Sequence, residues 1–114
     1  MSVFTKEFFS GSTNGRPIKV TQTATPGTLI HTAHATSKDE IWLYVVNTSG
    51  SDVVLTIEFG GVTSPDDLIK ISVKKELGLL LVIPGIPQSN SQVIRAFAGT
   101  TNLLNIVGFV NRIT

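Results

Sequence analysis

There is no cysteine in these 114 residues. Neither a disulfide framework nor a thiolate metal site is available, so the fold rests on core packing, ladder hydrogen bonds and assembly. Charge is also scarce. Asp, Glu, Lys and Arg make up 15% of the chain, against roughly a quarter of an ordinary soluble domain. Nine Lys and Arg nearly cancel eight Asp and Glu, leaving +1, whereas soluble monomers tend to keep their net charge away from zero. A protein that associates tolerates that balance.

Long hydrophobic runs are missing as well, although 41% of residues are hydrophobic and the mean hydropathy is positive. The longest nearly apolar stretch, Leu77 to Ile86, is interrupted by Gly78, Pro84 and Gly85, and a bilayer needs about 20 apolar residues. Near the N-terminus, Lys6 and Glu7 separate Val3 and Phe4 from Phe8 and Phe9 before a signal-peptide core can form. The expectation is a soluble protein without an export signal and without a membrane partner.

The residues of catalysis are as sparse. Only two histidines occur, His31 and His34. Three apart on a strand, they point to opposite faces and cannot chelate one metal without a bulge. One is expected to face the core, the other the surface or an interface. No Gly-x-Ser-x-Gly elbow, cysteine nucleophile or phosphate-cradling glycine loop is present. Carboxylates cluster at Asp39-Glu40 and Asp66-Asp67 beside turn residues, where Asp side chains commonly bond local backbone. A calcium loop would need spaced acids around a glycine pivot. The expectation is a protein that is not an enzyme, with no catalytic, cofactor-binding or metal residue.

Nor do the basic residues suggest nucleic acid. Lys6, Arg16, Lys19, Lys38, Lys70, Lys74, Lys75, Arg95 and Arg112 are scattered and nearly neutralised, where a binding footprint would be dense. Lys70, Lys74 and Lys75 are read either as a small positive strip or, at least as well, as a solvated outer face. Trp42 and Tyr44 share one face of a strand and are assigned to the core, since aromatics in a short central strand usually pack.

What is abundant is turn chemistry alternating with strand residues. Turn signals stand at residues 24–27, 47–52, 60–66, 84–85, 87–90 and 99–102. Between them lie eight segments rich in Val, Ile, Leu, Thr and aromatics: Pro17–Thr23, Thr28–Ala35, Ile41–Thr48, Val53–Phe59, Leu68–Lys74, Gly78–Ile83, Gln92–Phe97 and Leu103–Arg112. In the fourth, Val53, Leu55, Ile57 and Phe59 share one face; in the fifth, Ile69, Ile71 and Val73 alternate with Lys70, Ser72 and Lys74. No window carries a convincing helical period. The pattern predicts an all-β fold, an antiparallel β-sandwich or jelly-roll of about eight strands. Spacings between starts suggest four hairpins, first with second through seventh with eighth, with Greek keys also compatible.

Residues 1–15 differ. Three of the six phenylalanines, Phe4, Phe8 and Phe9, precede the linker-like run Gly11-Ser12-Thr13-Asn14-Gly15. Two readings stand: an N-terminal arm docking these aromatics on a neighbouring subunit, or an edge strand packed on its own sandwich. With the arm reading, residues 16–114 form the domain and Phe4, Phe8 and Phe9 the interface.

The run from Asp39 to Ile69, including Asp-Glu-Ile-Trp-Leu-Tyr-Val-Val-Asn-Thr-Ser-Gly and Leu-Thr-Ile-Glu-Phe-Gly-Gly-Val-Thr-Ser-Pro-Asp-Asp-Leu-Ile, resembles small virion proteins of tailed bacteriophages. So does the closing stretch from Val93 to Ile113; together these cover about half the chain. The resemblance implies a capsid decoration or cement subunit on the virion surface, made in the host cytoplasm, often trimeric, with the major capsid protein as partner. It carries no diagnostic motif and transfers no functional residue. A carbohydrate- or receptor-binding module using Trp42, Tyr44, Asn47, Asp66 and Asn90 is the alternative from another class. A minor head or tail component is a further one.

Overall fold

The computed structural model describes residues 3–114. Among them lie β1 (Phe4–Glu7), β2 (Ile18–Lys19), β3 (Thr28–Thr32), β4 (Lys38–Asn47), β5 (Val53–Phe59), β6 (Leu68–Val73), β7 (Leu79–Gln88), β8 (Val93–Ala98) and β9 (Leu104–Ile113). These nine strands form two antiparallel sheets. The first runs β1-β9-β4-β7, with β2 beside β1 on the same edge of β9; the second runs β3-β8-β5-β6. The chain is an all-β sandwich, as its alternation predicts.

The core lies between the sheets. Ile41, Leu43 and Val45 of β4 and Ile106 and Val110 of β9 meet Leu55 and Ile57 of β5 and Ile94 and Ala96 of β8, all without exposed surface. The expected inward face of β5 is confirmed for Val53, Leu55 and Ile57. Its other face is a partial exception. Thr56 and Glu58 are buried, because the loop before β3 folds over them, with Thr25 Oγ1 and the Gly27 N–H (2.7 Å) donating to the Glu58 carboxylate.

The pairing expectation fails. Of the strands joined directly in sequence, only β5 and β6 pair; the four expected hairpins are crossings from one sheet to the other. Turn chemistry reports that the chain reverses but not which sheet it enters next. Two strand bounds also shift markedly. Pro17–Thr23 shrinks to the two residues of β2, while Gly78–Ile83 extends through Pro84 and Pro87 to Gln88. Proline is tolerated there because β7 is an edge strand with two register shifts against β4, so a missing N–H costs no ladder bond on the open side.

The N-terminal segment takes the edge-strand form. β1 pairs with β9 from Phe4↔Ile113 to Glu7↔Val110. Phe9 is only 2% exposed, inside this chain's own core, so it is removed from the expected interface set. Its ring fills the space above Gly108, where a Cβ would lie 2.9 Å from it and closer still to the Trp42 carbonyl oxygen. Phe4 (63%) and Phe8 (61%) remain exposed.

Candidate functional site

The first sheet has a second apolar face, turned away from the core. In β4 the residues alternating with Ile41, Leu43 and Val45 are Trp42, Tyr44 and Val46, all half-buried. This corrects the assignment of Trp42 and Tyr44 to the core. Register sets their neighbours: Trp42 lies between Phe109 of β9 and Pro84 of β7, Tyr44 between Val107 and Leu81, and Val46 between Asn105 and Leu79. Leu79 and Leu81 are 62% and 41% exposed.

Local packing holds the aromatic centre of this face. The Trp42 and Phe109 rings are nearly parallel, at 8° with centroids 6.0 Å apart, in the offset arrangement that ring quadrupoles favour. On its other side the indole lies against Gly85, where a Cβ would come within 2.7 Å of the ring; that residue has φ of 78°, a conformation suited to glycine. Lys6 of β1 places its Nζ 5.3 Å from the Phe109 ring centroid, a cation–π contact that also shields one edge of the patch.

Charge is nearly missing from the same face. β7 carries no ionisable residue, and the only one in β9, Arg112, turns inward. At the end of β4, Glu40 accepts a hydrogen bond from Asn111 Nδ2 (3.0 Å), leaving Lys38 as the exposed cation of that strand.

The ionisable groups that do cluster are buried behind this face. Asp39, without exposed surface, accepts from Arg112 Nε at Oδ1 (2.8 Å), and at Oδ2 from Arg112 Nη2 (3.1 Å), the His34 N–H (3.1 Å) and His31 Nε2 (2.8 Å). The Ser10 N–H donates to His31 Nδ1 (3.0 Å), which fixes the neutral tautomer with its proton on Nε2. Burial holds the His31 pKa below its ordinary value, outweighing the opposing pull of Asp39. Burial also pushes the Asp39 carboxyl up, but hydrogen bonds from Arg112, His31 and the His34 backbone overcome it and bring it below the usual range. Glu7 stands 3.9 Å from Arg112 Nη1, so the cluster joins β1, β3, β4 and β9. Every buried side-chain polar atom in the described residues has a partner, so the cluster is a fully hydrogen-bonded tie between these strands.

Other residues singled out in the sequence fall into structural roles. His34 lies outside the core, its Nδ1 accepting from the Thr36 (3.1 Å) and Ser37 (2.9 Å) N–H groups. Asp67 accepts from the Thr63 N–H (3.1 Å) within its turn. Asn47 is buried, and its Nδ2 donates to the carbonyls of Ser51, Val73 and Lys74. It ends β4 beside Leu79, whereas Asn90 follows Gln88, which pairs with Asp39 at the opposite end. The two asparagines are therefore about 25–30 Å apart along the sheet, and the residues suggested for glycan binding do not converge. Among the described residues, no three of His, Asp or Glu gather as a metal-binding group.

Sequence reasoning missed Phe109, Leu79 and Leu81. A signal for Phe109 was present: Asn105 and Asn111 share its alternation parity and mark the face turned from the core. The class defined so far is a two-sheet antiparallel sandwich with one uncovered apolar sheet face. Comparison of the chain with protein-family models, curated protein sequences and solved structures returns no match.

Proposed function

We propose that this chain is a structural subunit of a virus particle, a decoration or cement protein that works by repeated protein contacts on the assembled shell. The observation that carries the reading is the apolar outer face of the first sheet, centred on Trp42, Tyr44 and Phe109 and nearly free of charge. Soluble monomers rarely expose a contiguous apolar patch beyond a few hundred Å² unless it binds something.

Topology lends further support. The two sheets, with β2 and β1 on one side of β9-β4-β7 and β3-β8-β5-β6 opposite, are compatible with a jelly roll, an architecture that recurs in viral capsid proteins and also in lectins. Fold alone does not choose between those uses. The surroundings of the aromatic residues favour assembly, because a sugar site places hydrogen-bonding groups beside its stacking rings. Here the cross-strand neighbours of Trp42 and Tyr44 are Phe109, Val107, Pro84 and Leu81, and the polar groups of the face, Glu40, Asn105 and Asn111, stand one position further out, two of them bonded to each other. The exposed part of those rings is the observation that keeps a glycan- or receptor-binding module as the second reading.

Binding only the assembled shell stabilises it by mass action, and many modest contacts add through multivalency. The test is mass spectrometry of gradient-purified particles of the virus proposed to encode the chain. Peptides of the chain at a copy number commensurate with shell symmetry are the expected result. Their absence from particles, together with retention on a glycan array, overturns the reading in favour of the second.

A further inference from the structure

We propose that the outer face of the first sheet is covered by another copy of this chain, so that the protein assembles with itself through β4, β7 and β9. The inference deepens the assembly reading above and rests on it. Three physical features select this occupant.

The first is area. β4, β7 and β9 each span ten residues; at about 3.3 Å per residue and 4.8 Å between strands they present about 500 Å² in projection. Two such faces together reach the roughly 1,000 Å² that a specific protein interface requires. The second is shape. The hollows around residues 11–19 and over Thr56 and Phe97 lie on other surfaces, and those around residues 87–92 and 36–38 lie at the Lys38 end of the sheet, away from Trp42 and Tyr44. A sheet face packs well on another sheet face, with side chains interdigitating at about 10 Å spacing.

The third is charge. A surface meeting its own copy must avoid opposing like charges; this face has no ionisable residue on β7 and none turned outward on β9, and its charged side chains, Lys6, Lys38 and Glu40, lie toward one end of the sheet, so two copies related by a two-fold axis through its centre keep them apart. Nucleic acid would instead need a dense set of cations. Contact through the face is also favoured over pairing through the open β7 edge. Pro84 and Pro87 interrupt that edge, as expected of a strand guarded against edge-to-edge addition.

The experiment uses the purified full chain and the variants Leu81→Glu and Leu79→Glu, at two exposed positions. Light scattering across a concentration series is expected to give the wild type a mass of two or more 12.2 kDa chains, and each variant the mass of one. Circular dichroism checks that the variants keep the β spectrum. Emission of Trp42, the only tryptophan, is expected to shift to longer wavelength as dilution or either substitution separates the copies. A wild-type monomer at all concentrations overturns the proposal, as does an oligomer that both folded variants retain. A monomer found in virus particles defeats self-association but leaves the virion reading intact; a face-dependent oligomer that is not found in particles does the reverse.

Discussion

The two sides of β4 carry nearly equal apolar character and meet different fates. Ile41, Leu43 and Val45 are fully buried against the second sheet, while Trp42, Tyr44 and Val46, one residue out of phase, are half-buried on the outside. The inner side is branched and aliphatic, and interlocks with Leu55, Ile57, Ile94 and Ala96. The outer side carries rings with polar handles, which suit a surface that is sometimes wet and sometimes covered. Hydrophobicity decides that a residue seeks a partner; only tertiary contact decides whether the chain itself provides one.

The sharpest break in that comparison is expected from Phe9→Ala. Removing a ring packed over Gly108 and beside His31 should cost about 3–5 kcal/mol, seen as a lower midpoint in denaturant unfolding. A cost near zero would return Phe9 to the surface and restore the arm reading. Leu43→Ala should lose about 2–5 kcal/mol, whereas Tyr44→Ala on the outer side should change the monomer's stability far less and act mainly on oligomer mass. Equal losses at both positions would erase the distinction between the faces.

The buried cluster sharpens the comparison through pH. His31 has its folded-state pKa below the ordinary 6.5, so as pH falls through the unfolded value the unfolded chain takes up a proton that the folded chain refuses. Stability is therefore present above about pH 6.5 and declines below it, by 1.36 kcal/mol per unit at most for one site. Asp39, whose folded-state pKa also lies below its ordinary 3.8, adds a second loss as pH drops through that value. His31→Gln should abolish the upper limb of the stability profile and spare the lower one. An unchanged profile would remove His31 as its source. The smallest effect is expected from Phe8→Ala, within about 0.5 kcal/mol, because Phe8 is exposed next to the buried Phe9.

Much of the fold was legible where alternation is clean. β5 has the bounds its Val-Leu-Ile pattern predicts, and β6, β8 and β9 shift by about one residue. Legibility failed where both parities are apolar. From Ile41 to Val46 every residue is hydrophobic, so periodicity could not say which face of β4 meets the core, and the aromatics were assigned to the wrong side. Asp39 was read as a turn carboxylate, because its partner Arg112 lies 73 positions away. Phe9 was grouped with Phe4 and Phe8 by proximity, although only Phe9 meets Gly108.

The sequence by itself determined that the chain is all-β, where it turns, and that it lacks the residues for thiol chemistry, because these follow from composition and from interactions between near neighbours. The tertiary structure alone decided which strands pair, that Phe4–Glu7 joins the first sheet, and which apolar face remains uncovered. Each of those outcomes depends on contacts between residues far apart in sequence, which local periodicity cannot encode.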